Sequence, residues 1–197
     1  MIRAVLFDLD GVIRHFDQRH VADIERRHGI EAGLINRFAF SPPLIEDVTT
    51  GRMTRRAWIS QIAMHLGNEV AATEWGQQPS EIDPALRSLA EEVHRTGRVT
   101  AILTNGTDTI PEEMAAAELH DHFEPIFNSA DIGYAKPDER VFQHVLDALD
   151  VSPEEVFFTD DSPSKLVGAD ALGIATHHFI DVARLRDALR AHGVQVN

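Results

Sequence analysis

Short, unbroken apolar runs separated by amphipathic helical patterns constrain this chain more than any other feature. Runs of strand length cover residues 4–7, 99–103, 156–158 and 174–176. Apolar residues recur at helical spacing over about 84–96, 110–119, 140–149, 165–172 and 182–191. Strands that alternate with helices indicate βαβ units and a parallel sheet. Because the runs lack polar alternation, both faces of that sheet should be covered. The expected core is a Rossmann-like, doubly wound, mainly parallel α/β sheet built from residues 1–14 and 83–197.

One stretch breaks the rhythm. Residues 15–82 contain no convincing buried strand, but helical patterns lie near 21–28, 34–40 and 56–66. Thr54, followed by Arg55, Arg56 and Ala57, reads as an N-cap. Pro79, Ser80, Asp83 and Pro84 mark a return hinge. A helical cap of residues 15–82, inserted after the first strand, is expected.

Composition narrows the function classes. A chain of 197 residues suits one α/β domain with a modest insert. A hydrophobic share of 43% and a charged share of 25% give no reason to expect disorder. The net charge of −14 argues against nucleic acid and anionic membranes as partners, since both demand clustered Lys and Arg. It does not oppose a small anionic substrate, because one metal ion and one lysine can reverse the potential inside a pocket. With no cysteine, a disulfide framework, a zinc-thiolate site and a thiol nucleophile are excluded together. No apolar run approaches 18 residues and the N-terminus has no cleavage-site pattern, so a soluble, cytoplasmic protein is expected. Oligomeric state is left open.

Ligands of open parallel sheets bind beyond the carboxyl ends of the strands, which directs attention to the residues just after each apolar run. After the first come Asp8, Leu9, Asp10 and Gly11; after the second, Thr104, Asn105, Gly106 and Thr107; after the third, Thr159, Asp160, Asp161, Ser162 and Pro163. Each cluster alone is an ordinary turn or helix-start signal. Together they would bring Asp8, Asp10, Asp160 and Asp161 to one edge, where each like-charged pair at ~5 Å costs roughly 3 kcal/mol at an effective dielectric of ~20. A cation is required. Oxygen donors without cysteine suit a hard ion such as Mg²⁺. Lys136, fixed before Pro137 in the loop Gly133-Tyr134-Ala135-Lys136-Pro137, would complete the balance.

The ordered set Asp8-Leu9-Asp10-Gly11-Val12, Leu103-Thr104-Asn105-Gly106, Lys136-Pro137 and Asp160-Asp161-Ser162 resembles the four motifs of the haloacid dehalogenase-like hydrolases. The resemblance runs from residue 2 to about residue 180, and the helical insert resembles that superfamily's small cap of the first type. It implies a Mg²⁺-dependent phosphatase acting on a small phosphorylated substrate. Asp8 would be the nucleophile that forms an aspartyl-phosphate, and Asp10 would protonate the leaving oxygen and later deprotonate water. Thr104, with backbone N–H groups of Asn105 and Gly106 at a helix start, would bind a phosphate oxygen, and Lys136 would neutralise Asp8 and the phosphoryl group. The metal ligands implied are the Asp8 carboxylate, the Asp10 carbonyl and an acid from Asp160 and Asp161, with Asp161 the direct one. The finer likeness is to small sugar-phosphate phosphatases and to the phosphatase-like domain joined to epoxide hydrolases.

Several other readings compete. Dehalogenases of the same superfamily lack an acid two residues after the nucleophile, where Asp10 stands here. A phosphomutase shares the machinery, and sequence does not separate it from a phosphatase. Signalling receiver domains place their paired acids early and their lysine last, the reverse of this order. An EF-hand needs an acid or amide and then glycine where Val12 and Ile13 stand. A non-catalytic phospho-ligand or partner-binding protein would have lost one of the four motifs. The paired histidines, His120 with His122 and His177 with His178, are expected to be solvated, and Trp58 and Trp75 to form the cap's core. Arg14, His15 and Phe16 stand at the cap hinge, within reach of substrate.

Overall fold

A computed structural model describes residues 1–197, the side chain of Gln18 excepted. Five strands, β1 (Ala4–Phe7), β4 (Val99–Thr104), β5 (Ile126–Asn128), β6 (Val156–Asp160) and β7 (Ala175–His178), form one sheet in the order β5–β4–β1–β6–β7. Every pairing in it is parallel. The chain leaves β1 towards β4 and β5, then returns to the other side of β1 for β6 and β7. The order therefore reverses at β1, and such a reversal opens a crevice at the carboxyl end of the sheet.

Alternation along β1 feeds two apolar layers. Val5 and Phe7 pack with Leu86, Leu89 and Val93 of α6 (Pro84–Arg95) and with Leu185 and Leu189 of α11 (Val182–Ala191). Ala4 and Leu6 face Val141, Phe142 and Val145 of α9 (Glu139–Leu149) and Leu166 and Ala169 of α10 (Pro163–Leu172). Each large apolar side chain fully buried this way contributes about 1.5–3 kcal/mol relative to exposure. Capping matches the sequence signals: the Asp83 carboxylate accepts from the N–H groups of Ala85 and Leu86 with Pro84 in the first turn of α6, and Asp138 accepts from the Arg140 N–H at the start of α9.

The intervening segment is held by an antiparallel ribbon of β2 (Arg14–Phe16) and β3 (Ser80–Ile82). It contains α1 (Gln18–His28), α2 (Leu34–Ala39), α3 (Leu44–Thr49), α4 (Arg55–Leu66) and α5 (Glu69–Gly76), around an apolar cluster of its own that includes Ile24, Ile35, Val48, Ile62, Trp58 and Trp75. The two indoles meet edge to face with centroids 4.9 Å apart. Thr54 caps α4 through the Ala57 N–H.

Candidate active site

Asp8 is the first residue beyond β1, and its N–H donates to the Thr159 carbonyl at 2.9 Å, which extends the sheet ladder and fixes the carboxylate at the crevice. The chain then folds back. The N–H groups of Ile13 and Arg14 both donate to the Leu9 carbonyl, and the Gly11 N–H donates to the Arg14 carbonyl. Gly11 has φ +92°, and a Cβ there would lie 2.3 Å from Asp161 Oδ2, so only glycine fits the turn.

Lys136, in the loop before α9, inserts its buried ammonium between the strands. Nζ donates to Asp8 Oδ1 at 2.8 Å, to Asp160 Oδ2 at 2.7 Å and to the Leu103 carbonyl at 2.9 Å. All three of its protons are used. Two other residues seat this loop. Asn105 donates from Nδ2 to the Lys136 carbonyl at 2.9 Å and accepts the Lys136 N–H at 2.8 Å. Gly168 in α10 brings the helix so close that a Cβ would lie 1.9 Å from the Pro137 carbonyl oxygen. The second Asp160 oxygen accepts the Ser162 N–H at 2.9 Å, so this fully buried carboxylate is engaged at both ends.

Three acids, Asp8, Asp160 and Asp161, each offer an oxygen within 4.8 Å of the other two. Against them stand two ammonium groups, Lys136 and Lys165, the latter with Nζ 3.9 Å from Asp8 Oδ2. The fixed charges leave one negative charge over. Burial is the largest influence on Asp8 and raises its pKa; Lys136 opposes the rise and Asp160 reinforces it, leaving the carboxyl pushed up to about 6. Asp161 is also raised, first by burial and then by Asp160. Burial would lower Lys165, but Asp8, Asp160 and Asp161 outweigh it and hold its pKa above the ordinary value. Asp8 Oδ2 is buried without a hydrogen-bond partner among the described residues. An orphaned carboxylate oxygen among acids, with oxygen donors alone, is the surrounding a hard divalent cation fits.

Asp10 lies at the edge of this cluster with its carboxylate against Arg14, which approaches one oxygen with Nε at 2.5 Å and the other with Nη2 at 3.1 Å. The Arg14 Nη1 donates to Glu113 Oε2 at 2.6 Å. Asp10 and Glu113 also line a cavity of about 1150 Å³ between the helical segment and the sheet edge, with Asn105, Gly106 and Thr107 on the same wall.

Sequence reasoning brought Asp8, Asp10, Asp160 and Asp161 to one edge with Lys136; Asp8, Lys136, Asp160 and Asp161 stand in direct contact or close to it, whereas the Asp10 carboxylate turns to Arg14 and is not part of the acid cluster. The helix start expected at Asn105 and Gly106 is corrected: α7 begins at Ile110 and ends at Ala116, and residues 105–109 are a loop. Thr109-Ile110-Pro111 sets the boundary, since proline is at home in a first helical turn and not one turn further in. Thr104 is buried as the last residue of β4, and Gly106 lines the cavity from the loop that follows. Two residues were not singled out for their charge. Lys165 carried a signal, as the second residue after Ser162-Pro163 lies in the first turn of a helix and its side chain leans back towards the strand end. Arg14 was placed at the hinge without its pairing to Asp10. Among the described residues no histidine joins a cluster of three ligands, and no helix is long and apolar enough to cross a membrane.

Residues 2–173 match the family model described as haloacid dehalogenase-like hydrolase. The phosphatase MT3486 of Mycobacterium tuberculosis is 28% identical over 200 residues, covering 95% of this chain and 92% of that protein. The sesquiterpene phosphatase astK of Aspergillus oryzae is 28% identical over 187 residues, covering 91% and 90%. A HAD family enzyme of Bacteroides thetaiotaomicron, crystallised with magnesium and inorganic phosphate, superposes with a TM-score of 0.77 at 21% identity, covering 94% of this chain and 98% of that one.

Proposed function

Because the chain belongs to the haloacid dehalogenase-like hydrolases, we propose that it is a Mg²⁺-dependent phosphatase of a small phosphorylated metabolite, working through an aspartyl-phosphate on Asp8. The observation that carries this reading is the state of Asp8, with one oxygen held by Lys136 and the other buried beside Asp160 and Asp161 without a hydrogen bond among the described residues, the Lys165 ammonium standing 3.9 Å away. A residue needed only for structure would have both oxygens satisfied.

In this reading the Asp8 carboxylate attacks phosphorus, a P–O bond to Asp8 forms, and the P–O bond to the leaving alcohol breaks. Asp10 gives its proton to that departing oxygen. Water then attacks the acyl phosphate, Asp10 takes a proton from it, and inorganic phosphate and free Asp8 are released. Lys136 keeps the nucleophile oriented and offsets the charge gathering on the phosphoryl oxygens. The Thr104 hydroxyl and the backbone N–H groups of Asn105 and Gly106 would receive them. Mg²⁺, held by the Asp8 and Asp161 carboxylates and the Asp10 carbonyl with Asp160 acting through water, would cancel the surplus negative charge and polarise the phosphoryl group. Asp161 suits direct ligation better than Asp160, whose oxygens are taken by Lys136 and Ser162. Residues 15–82 act as a cap that closes over the substrate.

The acid at position 10 opposes a dehalogenase reading, which has no use for a proton donor there. The reading is tested by phosphate release from phosphorylated sugars, nucleotides and an aryl phosphate, with Mg²⁺ and with EDTA. Release that needs Mg²⁺ and is lost in Asp8→Asn supports it, and turnover in Asp8→Asn near the wild-type rate overturns the mechanism. Asp10→Asn is expected to slow both steps.

A further inference from the structure

We infer that the cavity beside Asp10 is an apolar leaving-group site, so that the substrate is the phosphate monoester of a hydrophobic alcohol rather than of a polyhydroxylated sugar. The inference rests on the phosphatase reading for its chemistry, though not for the shape or lining of the pocket. With a volume of about 1150 Å³, the cavity has room for a long carbon skeleton as well as the phosphoryl group.

The decisive point is which groups on its wall are free to meet a ligand. A sugar would need unspent hydrogen-bond donors and acceptors, because a hydroxyl taken from water without a partner is penalised. Many of the polar side chains here are already engaged within the protein, whereas the exposed Gln77 and Ser80 make no side-chain hydrogen bond among the described residues. Arg14 is spent on Asp10 and Glu113, and Glu113 also accepts from the Thr109 hydroxyl at 2.6 Å. Arg55 donates to the Gly76 carbonyl, and Asn36 Oδ1 accepts the Trp75 indole N–H at 3.0 Å. The Thr49 hydroxyl donates to the Ile45 carbonyl and Asn105 to the Lys136 backbone.

The apolar groups are in the opposite condition. Phe40, just beyond α2, is 52% exposed although it sits edge-on to Trp58 at 5.9 Å and to Trp75 at 6.2 Å, and all three rings line the cavity. Phe16 on the ribbon, under the Arg14 guanidinium, is 39% exposed on the same cavity. One exposed aromatic ring is ordinary in a soluble protein. Two on one cavity, beside a pair of tryptophans and with Ile110 and Met114 also on its lining, make an apolar patch that a matching ligand would cover.

The chain's only two tryptophans both line this cavity, so intrinsic fluorescence reports its filling whether or not turnover occurs. The test is a series of n-alkyl phosphates from ethyl to octyl, with glucose 6-phosphate as the polar comparison, read by fluorescence titration of Asp8→Asn and by phosphate release from the wild type with Mg²⁺. Affinity and kcat/KM are expected to rise with each methylene by up to about fourfold, the ratio for full burial of a CH₂ group, and Phe40→Ala is expected to flatten that dependence. Chain-length-dependent binding without phosphate release would overturn the hydrolase reading and leave the pocket assignment standing. Phosphate release that ignores chain length, or that favours glucose 6-phosphate, would overturn the pocket assignment and leave the hydrolase reading standing.

Discussion

Asp8 is held in a state that suits chemistry better than stability. Its folded pKa of about 6 lies above the value of about 3.9 in an unfolded chain. The folded protein therefore binds this proton more tightly, and the contribution of the group is fully present below about pH 4 and lost as pH rises through about 6. At neutral pH without metal, ionised Asp8 works against folding. Asp8→Asn should thus lose turnover yet melt no lower than wild type at pH 7.5 in EDTA, whereas added Mg²⁺ should raise the wild-type melting temperature and move the variant less. Differential scanning fluorimetry measures both, and a variant that melts several degrees lower in EDTA would mean that the Lys136 ion pair outweighs the cost of burying the charge. At this scale much of the acid cluster was legible, because strand ends and turn residues can be read directly from apolar runs. The pairing of Arg14 with Asp10 was not, since it depends on a backbone reversal between residues 9 and 14 that leaves no periodic trace.

Among the elements, the helices flanking the sheet were read to within a few residues because their apolar faces repeat over three turns. Helix α3, of six residues, and α5, whose buried face is mostly alanine and glycine beside one tryptophan, carry too weak a pattern, and the ribbon of β2 and β3 is three residues wide and largely exposed. Two element contacts invite tests. Helix α10 seats the Lys136 loop through Gly168, so Gly168→Ala forces a methyl group towards the Pro137 carbonyl. The overpacking should cost about 1–3 kcal/mol and, by displacing Lys136, lower kcat well beyond that seen with a methyl added at an open helical position; urea denaturation and kinetics on one preparation separate the two losses. Helices α6 and α11 are joined by Glu92, which takes two hydrogen bonds from Arg186 and one from the Asn197 N–H. The Arg186 bond is the main cause that brings its carboxyl down to about 2. Because that pKa is depressed, the stabilisation is present above about pH 4.3 and is lost as pH falls towards 2. Glu92→Gln should cost about 1–2 kcal/mol at pH 7 after allowing for solvent at the helix surface, and the difference from wild type should vanish in urea melts near pH 2.

Taken whole, the molecule has three apolar clusters, one on each face of the sheet and one inside the helical segment. The segment meets the sheet domain through its ribbon and through polar contacts, among them the Arg55 N–H to Asp108 Oδ1 at 2.6 Å and the Ser129 hydroxyl to the Thr49 carbonyl at 2.5 Å. An interface fastened by hydrogen bonds rather than a common core can part at small cost, as the proposed cap requires. That seam joins residues far apart in sequence and could not be read from a single chain pattern. Asp108 lies outside the acid cluster, in the loop before α7, and accepts the first-turn N–H of α4. Asp108→Ala removes a charge-assisted bond worth about 1 kcal/mol at this exposed position, which shifts the balance towards the open cap by about fivefold. A substrate large enough to touch the cap, such as octyl phosphate, should lose up to that factor in kcat/KM, chiefly through KM. Acetyl phosphate, too short to reach the cap helices, should be hydrolysed at nearly the wild-type kcat/KM. Equal losses for the two substrates would show instead that Asp108 acts by positioning residues 105–109 against the phosphoryl group, with cap and sheet moving as one body.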